Sequence, residues 1–370
     1  MVLKMKVLLV SPRGNNINGG IGKWTDHIMS YYEEHNDGVD VRQMYNSQLK
    51  TNFETNNIFK RLYNGIWNYY PLIKSCKRCL RKENFDVVHI CTSASLSLVK
   101  DLIIARAARK KGVKIFVHCH LGRIPEVLKS TSLEKKLFDR LINTVDGIIV
   151  MDKRSFNALT EYGCGKVYYL PNPLSSSVER LIEYNSNIQR IPRKIVFAGH
   201  VIPTKGVFEL VEACQQIENV DVTLLGHIPD ESIKEKLYEK GGNRVKEWLH
   251  IVGARPFDEV IEEMLSCNVF ALPTYTEGFP NVIIESMACG CPIVTTPVGA
   301  IPEMLDIDSS EPCGICVEPK NVSQLREAIH KMIIDNDMAC SYGARSRARV
   351  RERYSVKKVW EQLVSIWNAN

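Results

Sequence analysis

Short runs of apolar, β-branched residues alternate along the chain with longer amphipathic stretches. This alternation is typical of a parallel β-sheet that is covered by helices. In the first half the pattern predicts strands at Met5–Val10, Val39–Gln43, Val87–Ile90, Lys114–His118, Gly147–Met151 and Lys166–Leu170. Between them it predicts helices at Gly22–Glu34, Ser97–Lys110, Leu133–Asn143 and Lys153–Tyr162.

A break rich in proline and serine, residues 171–177, follows this first set. The pattern then restarts, with strands predicted at Lys194–Ala198, Asp221–Leu225, His250–Val252, Val269–Leu272 and Ile293–Thr295. The charge-rich tail predicts helices within Asn321–Asp335 and Met338–Asn370.

Two such series predict an α/β protein with two Rossmann-like, doubly wound domains that face an interdomain cleft. We expect an N-terminal domain at 1–172 and a C-terminal domain at 173–352. A terminal helix at 353–370 is expected to pack back towards the N-terminal domain. Ligands of doubly wound sheets bind outside the carboxyl ends of the strands, so the cleft is the expected active site.

The composition, 45% apolar and 24% charged, is typical of a folded soluble protein. No apolar run approaches the roughly 20 residues that a membrane-spanning helix needs. The apolar N-terminus leads into Ser11-Pro-Arg-Gly without a small-residue cleavage site, so we interpret it as a buried strand and expect a cytoplasmic protein. Two C-x-x-C pairs, Cys76/Cys79 and Cys313/Cys316, lie in different predicted domains, which favours reduced thiols over a zinc site.

Positive charge is concentrated in the first half of the chain. Residues 1–172 hold 27 lysine and arginine residues against 15 acidic ones, whereas residues 173–370 hold 21 against 27. The stretch Ile58–Lys82 interleaves aromatic and cationic residues: Phe59, Lys60, Arg61, Tyr63, Trp67, Tyr69, Tyr70, Lys74, Lys77, Arg78, Arg81 and Lys82. It is either a helix that lies on an anionic membrane or a solvated face over a core stripe, and we favour the membrane. No recognised nucleic-acid-binding motif accompanies the charge.

Two loops after predicted strands have phosphate-binding character. The first contains Gly19, Gly20 and Gly22 before a helix, where a phosphate could approach the backbone, although the spacing is not G-x-G-x-x-G. A flexible loop is the alternative. The second places Lys205 near the start of a helix, where its ammonium could bind a diphosphate. A solvent-exposed lysine without function is the alternative there.

The third loop is the most informative. It carries Glu277-Gly-Phe-Pro and leads into a helix at Asn281, whose amide and that of Val282 could receive phosphate oxygens. Glu285 could accept hydrogen bonds from a ribose diol, and Glu277 could hold sugar hydroxyls. Two solvated acids with capping value remain the alternative.

The stretch from Glu277 to Glu285 resembles the E-x7-E signature of glycosyltransferase family 4, retaining enzymes with the GT-B fold. Other segments are similar to that family in the same order along the chain: Gly19-Gly20, His120 in Val117-His-Cys-His-Leu-Gly, Leu170-Pro-Asn-Pro, Lys205-Gly206, Gly253-Ala-Arg-Pro, Ala288-Cys-Gly-Cys-Pro-Ile-Val and Gly299-Ala-Ile-Pro-Glu303.

The resemblance implies a hexosyltransferase that moves a sugar, with retention, from a nucleoside-diphosphate donor, expected to be a UDP-sugar. It also implies that the N-terminal domain at 1–172 binds the acceptor and that the C-terminal domain at 173–352 binds the donor. The implied acceptor is a saccharide, expected to be lipid-linked, in the synthesis of a surface polysaccharide such as capsule, O-antigen or exopolysaccharide. The enzyme would work peripherally on the inner face of the cell membrane. The alternatives are a degenerate, non-catalytic partner protein and a nucleotide-sugar epimerase.

The same resemblance assigns the site residues. The catalytic candidates are His120, Lys205 and Glu277. The donor-binding candidates are Gly19, Gly20, His200, Lys205, Gly253, Ala254, Arg255, Glu277, Gly278, Phe279, Pro280, Asn281, Val282 and Glu285. No cofactor and no essential metal are expected, because the D-x-D spacings at Asp306 and Asp335 fall in predicted solvated turns and the His118/His120 pair has no placed third ligand.

One position departs from the family pattern. The family carries an arginine five residues before the lysine, and this chain has His200 there. An imidazole cannot reproduce a two-pronged guanidinium contact with a diphosphate. We hypothesise that His200 retains part of that role, helped by Arg123 or Arg255.

Overall fold

A computed structural model describes residues 4–13, 20–35, 38–45 and 58–369, and for residues 58–68 only the backbone is described. The chain forms two compact units. The first comprises Met1–Pro173 with Val359–Asn370, and the second comprises Leu174–Lys358.

The first unit contains a six-stranded parallel sheet in the order β2-β1-β3-β4-β5-β6. Its strands are β1 (Met5–Val10), β2 (Val39–Met44), β3 (Val87–Thr92), β4 (Lys114–Cys119), β5 (Gly147–Val150) and β6 (Val167–Tyr169). Its helices are α1 (Gly20–His35), α2 (Ile58–Lys82), α3 (Ser97–Arg109), α4 (Ile124–Lys129), α5 (Leu133–Ile142) and α6 (Lys153–Glu161). The terminal helix α15 (Val356–Asn368) belongs to this unit from Val359 onwards.

The second unit repeats this architecture with the order β12-β11-β10-β7-β8-β9, again parallel. Its strands are β7 (Lys194–Ala198), β8 (Asp221–Leu225), β9 (Leu249–Gly253), β10 (Val269–Leu272), β11 (Ile293–Thr295) and β12 (Ile315–Cys316). Its helices are α7 (Ser176–Tyr184), α8 (Val207–Gln215), α9 (Glu231–Gly241), α10 (Phe257–Ser266), α11 (Asn281–Ala288), α12 (Ile301–Met304), α13 (Val322–Ile334) and α14 (Asn336–Arg349).

The prediction of two doubly wound sheets is confirmed. Several predicted strands have the observed bounds because each is a buried apolar run that is closed by turn residues. Several short elements, including α4, were not predicted, and β12 and α7 show the reasons. Strand β12 has only two residues and is too short to give a periodic signal, and α7 begins inside the serine-rich break, where Ser175 accepts a hydrogen bond from the amide of Val178 and caps the helix.

The C-terminal boundary lies after Lys358 rather than at the predicted residue 352. A π-helical turn at Val350–Tyr354 separates α14 from α15. The amide of Leu174 donates to the carbonyl of Tyr354 at 2.6 Å, and Arg349 donates to the Asp306 carboxylate at 2.8 Å. These bonds hold the turn within the second unit.

Apolar side chains on one face of the first sheet form a core with α2, α3 and α5. Among the described residues, no helix is both long and apolar enough to cross a bilayer.

Candidate functional site

In the second unit the strand order reverses between β7 and β10. Strand β7 pairs with β8, the next strand along the chain, on one side and with β10 on the other. The loops that follow β7 and β10 therefore leave the same edge of the sheet side by side. Such a switch point is the usual ligand-binding position of an open α/β sheet.

The loop after β7 places Lys205 by a tight turn. Residues Pro203–Lys205 form a 3₁₀ turn, and Gly206 has a φ of 71°, a left-handed conformation that favours glycine. A Cβ on Gly206 would lie 2.0 Å from the carbonyl oxygen of Pro273, the residue that follows β10. A glycine is therefore required for the two loops to approach each other.

Backbone hydrogen bonds fix the two loops together. The amide of Tyr275 donates to the carbonyl of Thr204 at 2.9 Å, and the hydroxyl of the fully buried Thr274 lies 3.3 Å from the same carbonyl. The hydroxyl of Thr296, after β11, donates to the Thr274 carbonyl. Sequence reasoning did not identify these residues, because the bonds join segments far apart in the chain.

The structure brings Lys205 and Glu277 into direct contact. The Lys205 ammonium donates to the Glu277 carboxylate, and their side chains are only 21% and 13% exposed. Gly299, with a φ of 58°, packs against the Glu277 backbone, because a Cβ there would lie 2.4 Å from its carbonyl oxygen. The partial burial strengthens the attraction between the two charges compared with an ion pair in open water.

Helix α11 begins directly after the Gly278-Phe279-Pro280 segment of this loop. Asn281 and Val282 open the helix and are half-buried, whereas Glu285, one turn later, is 9% exposed. The first amides of a helix are not used by its internal hydrogen bonds and carry the positive end of its dipole. The edge of the sheet thus gathers an ammonium, a helix start and two carboxylates.

The residues predicted to assist at the phosphates each have a contact of their own. His200 is exposed after β7, and its ring faces that of His227 with centroids 6.0 Å apart. Arg255, next to Gly253 and the exposed Ala254 at the end of β9, lies 3.9 Å from Glu259. Arg123, in the first unit, forms a bidentate pair with Glu134.

In the first unit, Gly20 begins α1, whereas Gly19 lies outside the described residues. His120 follows β4, and its amide donates to the carbonyl of Thr92 at the end of β3 at 2.8 Å. The residue is half-buried, but its Nε2 is buried. Burial, followed by the neighbouring His89, lowers the pKa of His120 to about 3, so the imidazole is neutral.

The structure places His118 beside two residues that sequence reasoning missed. Ligand atoms of His89, Cys91 and His118 lie within 4.8 Å of one another, and all three residues are buried. The sequence signal that could have identified this cluster is a histidine inside a predicted buried strand, because histidine is uncommon at such a position.

The two D-x-D segments have structural partners. Asp306, predicted to be a solvated turn residue, is half-buried and accepts from Arg349. Asp335 accepts from the amide of Met338 and caps α14.

Two family models match consecutive parts of the chain. Residues 19–177 match the model described as Glycosyltransferase Family 4, and residues 181–349 match the model described as Glycosyl transferases group 1. The first match covers β-strands of the first unit, and the second covers both loops around Lys205 and Glu277.

Individual proteins are similar over different lengths. An uncharacterized glycosyltransferase of Methanocaldococcus jannaschii is 26% identical over 306 residues, 82% of this chain and 79% of its own. The capsular polysaccharide biosynthesis glycosyltransferase CapM of Staphylococcus aureus is 31% identical over 180 residues, 47% of this chain and only 45% of its own. Anabaena HepE, solved in complex with UDP, matches in fold with a TM-score of 0.69 at 17% identity, over 98% of this chain and 99% of its own.

Proposed function

Since the chain belongs to glycosyltransferase family 4 and has a GT-B type fold, it is a glycosyltransferase, and we propose that it moves a sugar from a UDP-sugar to a saccharide acceptor with retention. We further propose that the acceptor is lipid-linked and serves the synthesis of a surface polysaccharide. The observation that carries the donor assignment is the convergence of Lys205, Glu277 and the start of α11 at one sheet edge.

This edge is suited to a leaving diphosphate. Negative charge accumulates on that group as the bond to the sugar breaks, and preorganised cations and amides stabilise it most. Lys205 supplies the ammonium, and Asn281 and Val282 supply helix-start amides. A single contact of this kind lowers the barrier by about 3–4 kcal/mol.

Glu277 has two roles in this proposal. Its carboxylate holds Lys205 in place, and its second oxygen can accept hydrogen bonds from hydroxyls of the transferring sugar. Glu285, buried on α11, would accept hydrogen bonds from the ribose hydroxyls in this proposal. The backbone at Gly253 would contact the base. His120 of the first unit is assigned to a hydroxyl of the sugar.

Two similarities support the choice of donor and acceptor. HepE shares the fold and was solved with UDP, and CapM is named for capsular polysaccharide biosynthesis.

The donor proposal is tested by a thermal-shift screen of nucleotide-sugars, because a ligand of the native state raises the melting temperature. With the donor so identified, we expect Lys205→Ala to reduce turnover by about a hundredfold or more. Lys236→Ala, an exposed lysine of the same unit, is the control and should retain wild-type turnover. Equal turnover in both variants would remove Lys205 from the mechanism, and no turnover of any donor by the wild type would favour a non-catalytic partner protein.

We also propose that the protein binds the anionic surface of a membrane. This proposal rests on exposed cationic side chains of the first unit. Lys77 and Arg81 on α2 and Arg106, Lys110 and Lys111 at the end of α3 are exposed and line a cavity of about 430 Å³. None of the five has a carboxylate partner among the described residues. The aromatic side chains predicted at Phe59, Tyr63 and Trp67, like Lys60 and Arg61, lie outside the described side chains.

Sedimentation with vesicles that contain anionic phospholipid tests this surface. We expect binding that weakens at high salt and is lost in Lys77→Glu/Arg81→Glu. Lys236→Glu/Lys357→Glu changes the net charge equally in the second unit and should still bind. Absence of wild-type binding at low salt would end the proposal.

A further inference from the structure

One face of the first sheet carries imidazoles where a buried parallel sheet ordinarily carries apolar residues. Cys91 on β3 is in register with His118 on β4, and His89 lies two residues earlier on β3. Side chains two residues apart share a face, so His89, Cys91 and His118 point to the same side. His89 and His118 are completely buried.

The terminal helix α15 fixes the hydrogen-bonding form of His89. The indole nitrogen of Trp367, a residue that is 1% exposed, donates to Nδ1 of His89 at 3.0 Å. An indole nitrogen can only donate, so Nδ1 of His89 must carry the lone pair. Because burial keeps the ring neutral, its proton is on Nε2.

Ring contacts lead from His89 to His120. The ring of His118 stands edge-on to that of His89, with centroids 5.4 Å apart, and lies 4.0 Å from that of His120. The ring centroid of Trp24 on α1 lies 5.6 Å from that of His89, 4.8 Å from that of His118 and 5.3 Å from that of His120. The three rings therefore lie against one another and against Trp24.

Several nitrogens of these rings are buried without a hydrogen-bond partner among the described residues. They are Nε2 of His89, both ring nitrogens of His118 and Nε2 of His120. Because no hydrogen bond joins the described rings of His89, His118 and His120, these rings act on one another through their dipoles, and the proton on Nε2 sets the dipole of His89. The His118 ring stands between those of His89 and His120 in this series of contacts, and at a centroid separation of 4.0 Å its dipole acts on the form that His120 adopts.

We propose that Trp367 is a positioning residue for His120, setting through His89 and His118 which ring nitrogen His120 offers to a sugar hydroxyl. This inference rests on the proposed function in one respect only, which is that the group contacted by His120 is a hydroxyl of the sugar. It gives the end of the chain a chemical role at a strand end nearly 250 residues earlier in the sequence.

Nitrogen NMR of the ¹⁵N-histidine-labelled protein tests the chain of contacts without a substrate. We expect His89 to carry its proton on Nε2 in the wild type. Trp367→Phe keeps an aromatic ring but removes the donor, and should shift the ring-nitrogen signals of His89, His118 and His120. Trp360→Phe is the matched control, since Trp360 is 2% exposed on the same helix, and its ring contacts within the described part of the chain are with Tyr31, Tyr32 and Trp367.

A wild-type His89 protonated on Nδ1 would overturn the proposal even if the variants did not fold. So would unchanged His120 signals in Trp367→Phe, or equal shifts in Trp360→Phe. One equivalent of tightly bound transition metal in the purified protein would also overturn it, because a metal bound through Nε2 of His89 needs the lone pair that the Trp367 contact places on Nδ1.

Steady-state kinetics test whether the positioning role affects catalysis. With the donor found by the thermal-shift screen, Trp367→Phe should lower kcat by about five- to tenfold, the effect of one hydrogen bond, with little change in KM. In a His120→Ala background the same change should have less than about a twofold effect. A merely structural role of Trp367 would lower activity equally in both backgrounds. If no donor is turned over, the proposed function fails while the NMR result still decides the positioning role.

Discussion

Acidification should destabilise the first unit through its buried histidines. Burial lowers the pKa of both His89 and His120 to about 3, against an ordinary value near 6.5 in the unfolded chain. At pH 5 both are neutral when folded and charged when unfolded, so the unfolded chain binds more protons. Their stabilising contribution is complete above about pH 6.5 and is lost progressively as the pH falls towards 3.

The magnitude follows from the two pKa values of each histidine. Between pH 7.5 and pH 5, protonation of the unfolded form of one such histidine costs about 2 kcal/mol of stability, and the pair together costs about 4 kcal/mol. His118, whose pKa is also far below its ordinary value through burial and its two histidine neighbours, adds to this loss.

Urea unfolding followed by tryptophan fluorescence measures the effect, because Trp24 and Trp367 contact these rings. His89→Gln is the informative variant, since its amide oxygen can still accept from Trp367. We expect the variant to lose about 2 kcal/mol less than the wild type between pH 7.5 and pH 5. Carboxylates elsewhere titrate equally in both proteins and cancel. An identical pH dependence in the two proteins would refute a buried, neutral His89.

Three further changes test the second unit. Gly206→Ala should destabilise it and weaken donor binding, because the new Cβ would meet the Pro273 carbonyl at a φ of 71°; unaltered melting and donor titration would contradict this. His200→Arg should tighten donor binding in calorimetry, and if neither this change nor His200→Ala alters affinity or turnover, the residue has no phosphate role. Arg349→Ala should cost about 3 kcal/mol in urea unfolding, more than Asp306→Asn, because Arg349 also donates to two backbone carbonyls.

The candidate donor site could be predicted from the sequence because its parts follow predicted strands. Lys205 and Glu277 each lie in a loop after an apolar run, and the carboxyl ends of parallel strands meet at one edge. Their direct contact could not be predicted, since it depends on strand order and on the bonds from Tyr275 and Thr274 to the Thr204 carbonyl. Strand order is a property of the whole sheet, whereas local patterns define only its strands.

The tail shows a different limit. Charge and periodicity predicted helices from Met338 to the end, and helices α14 and α15 occupy most of it. The pattern did not predict the π-helical turn at Val350–Tyr354, which depends on the bond between Leu174 and Tyr354. Helical periodicity does not distinguish a continuous helix from two helices joined by a turn that tertiary contacts stabilise.

The buried histidines of the first sheet show a kind of functional signal that the sequence analysis did not use. Buried ring nitrogens without partners each cost about 1–3 kcal/mol, so an apolar residue of similar size at position 118 would be expected to pack with greater stability. We therefore expect His118 to lower the stability of the unit that contains it. Residues that oppose folding are expected where a site needs their chemistry, and His120 lies 4.0 Å away at the strand end. A polar residue within a predicted buried strand is thus a functional signal in its own right, separate from any loop motif.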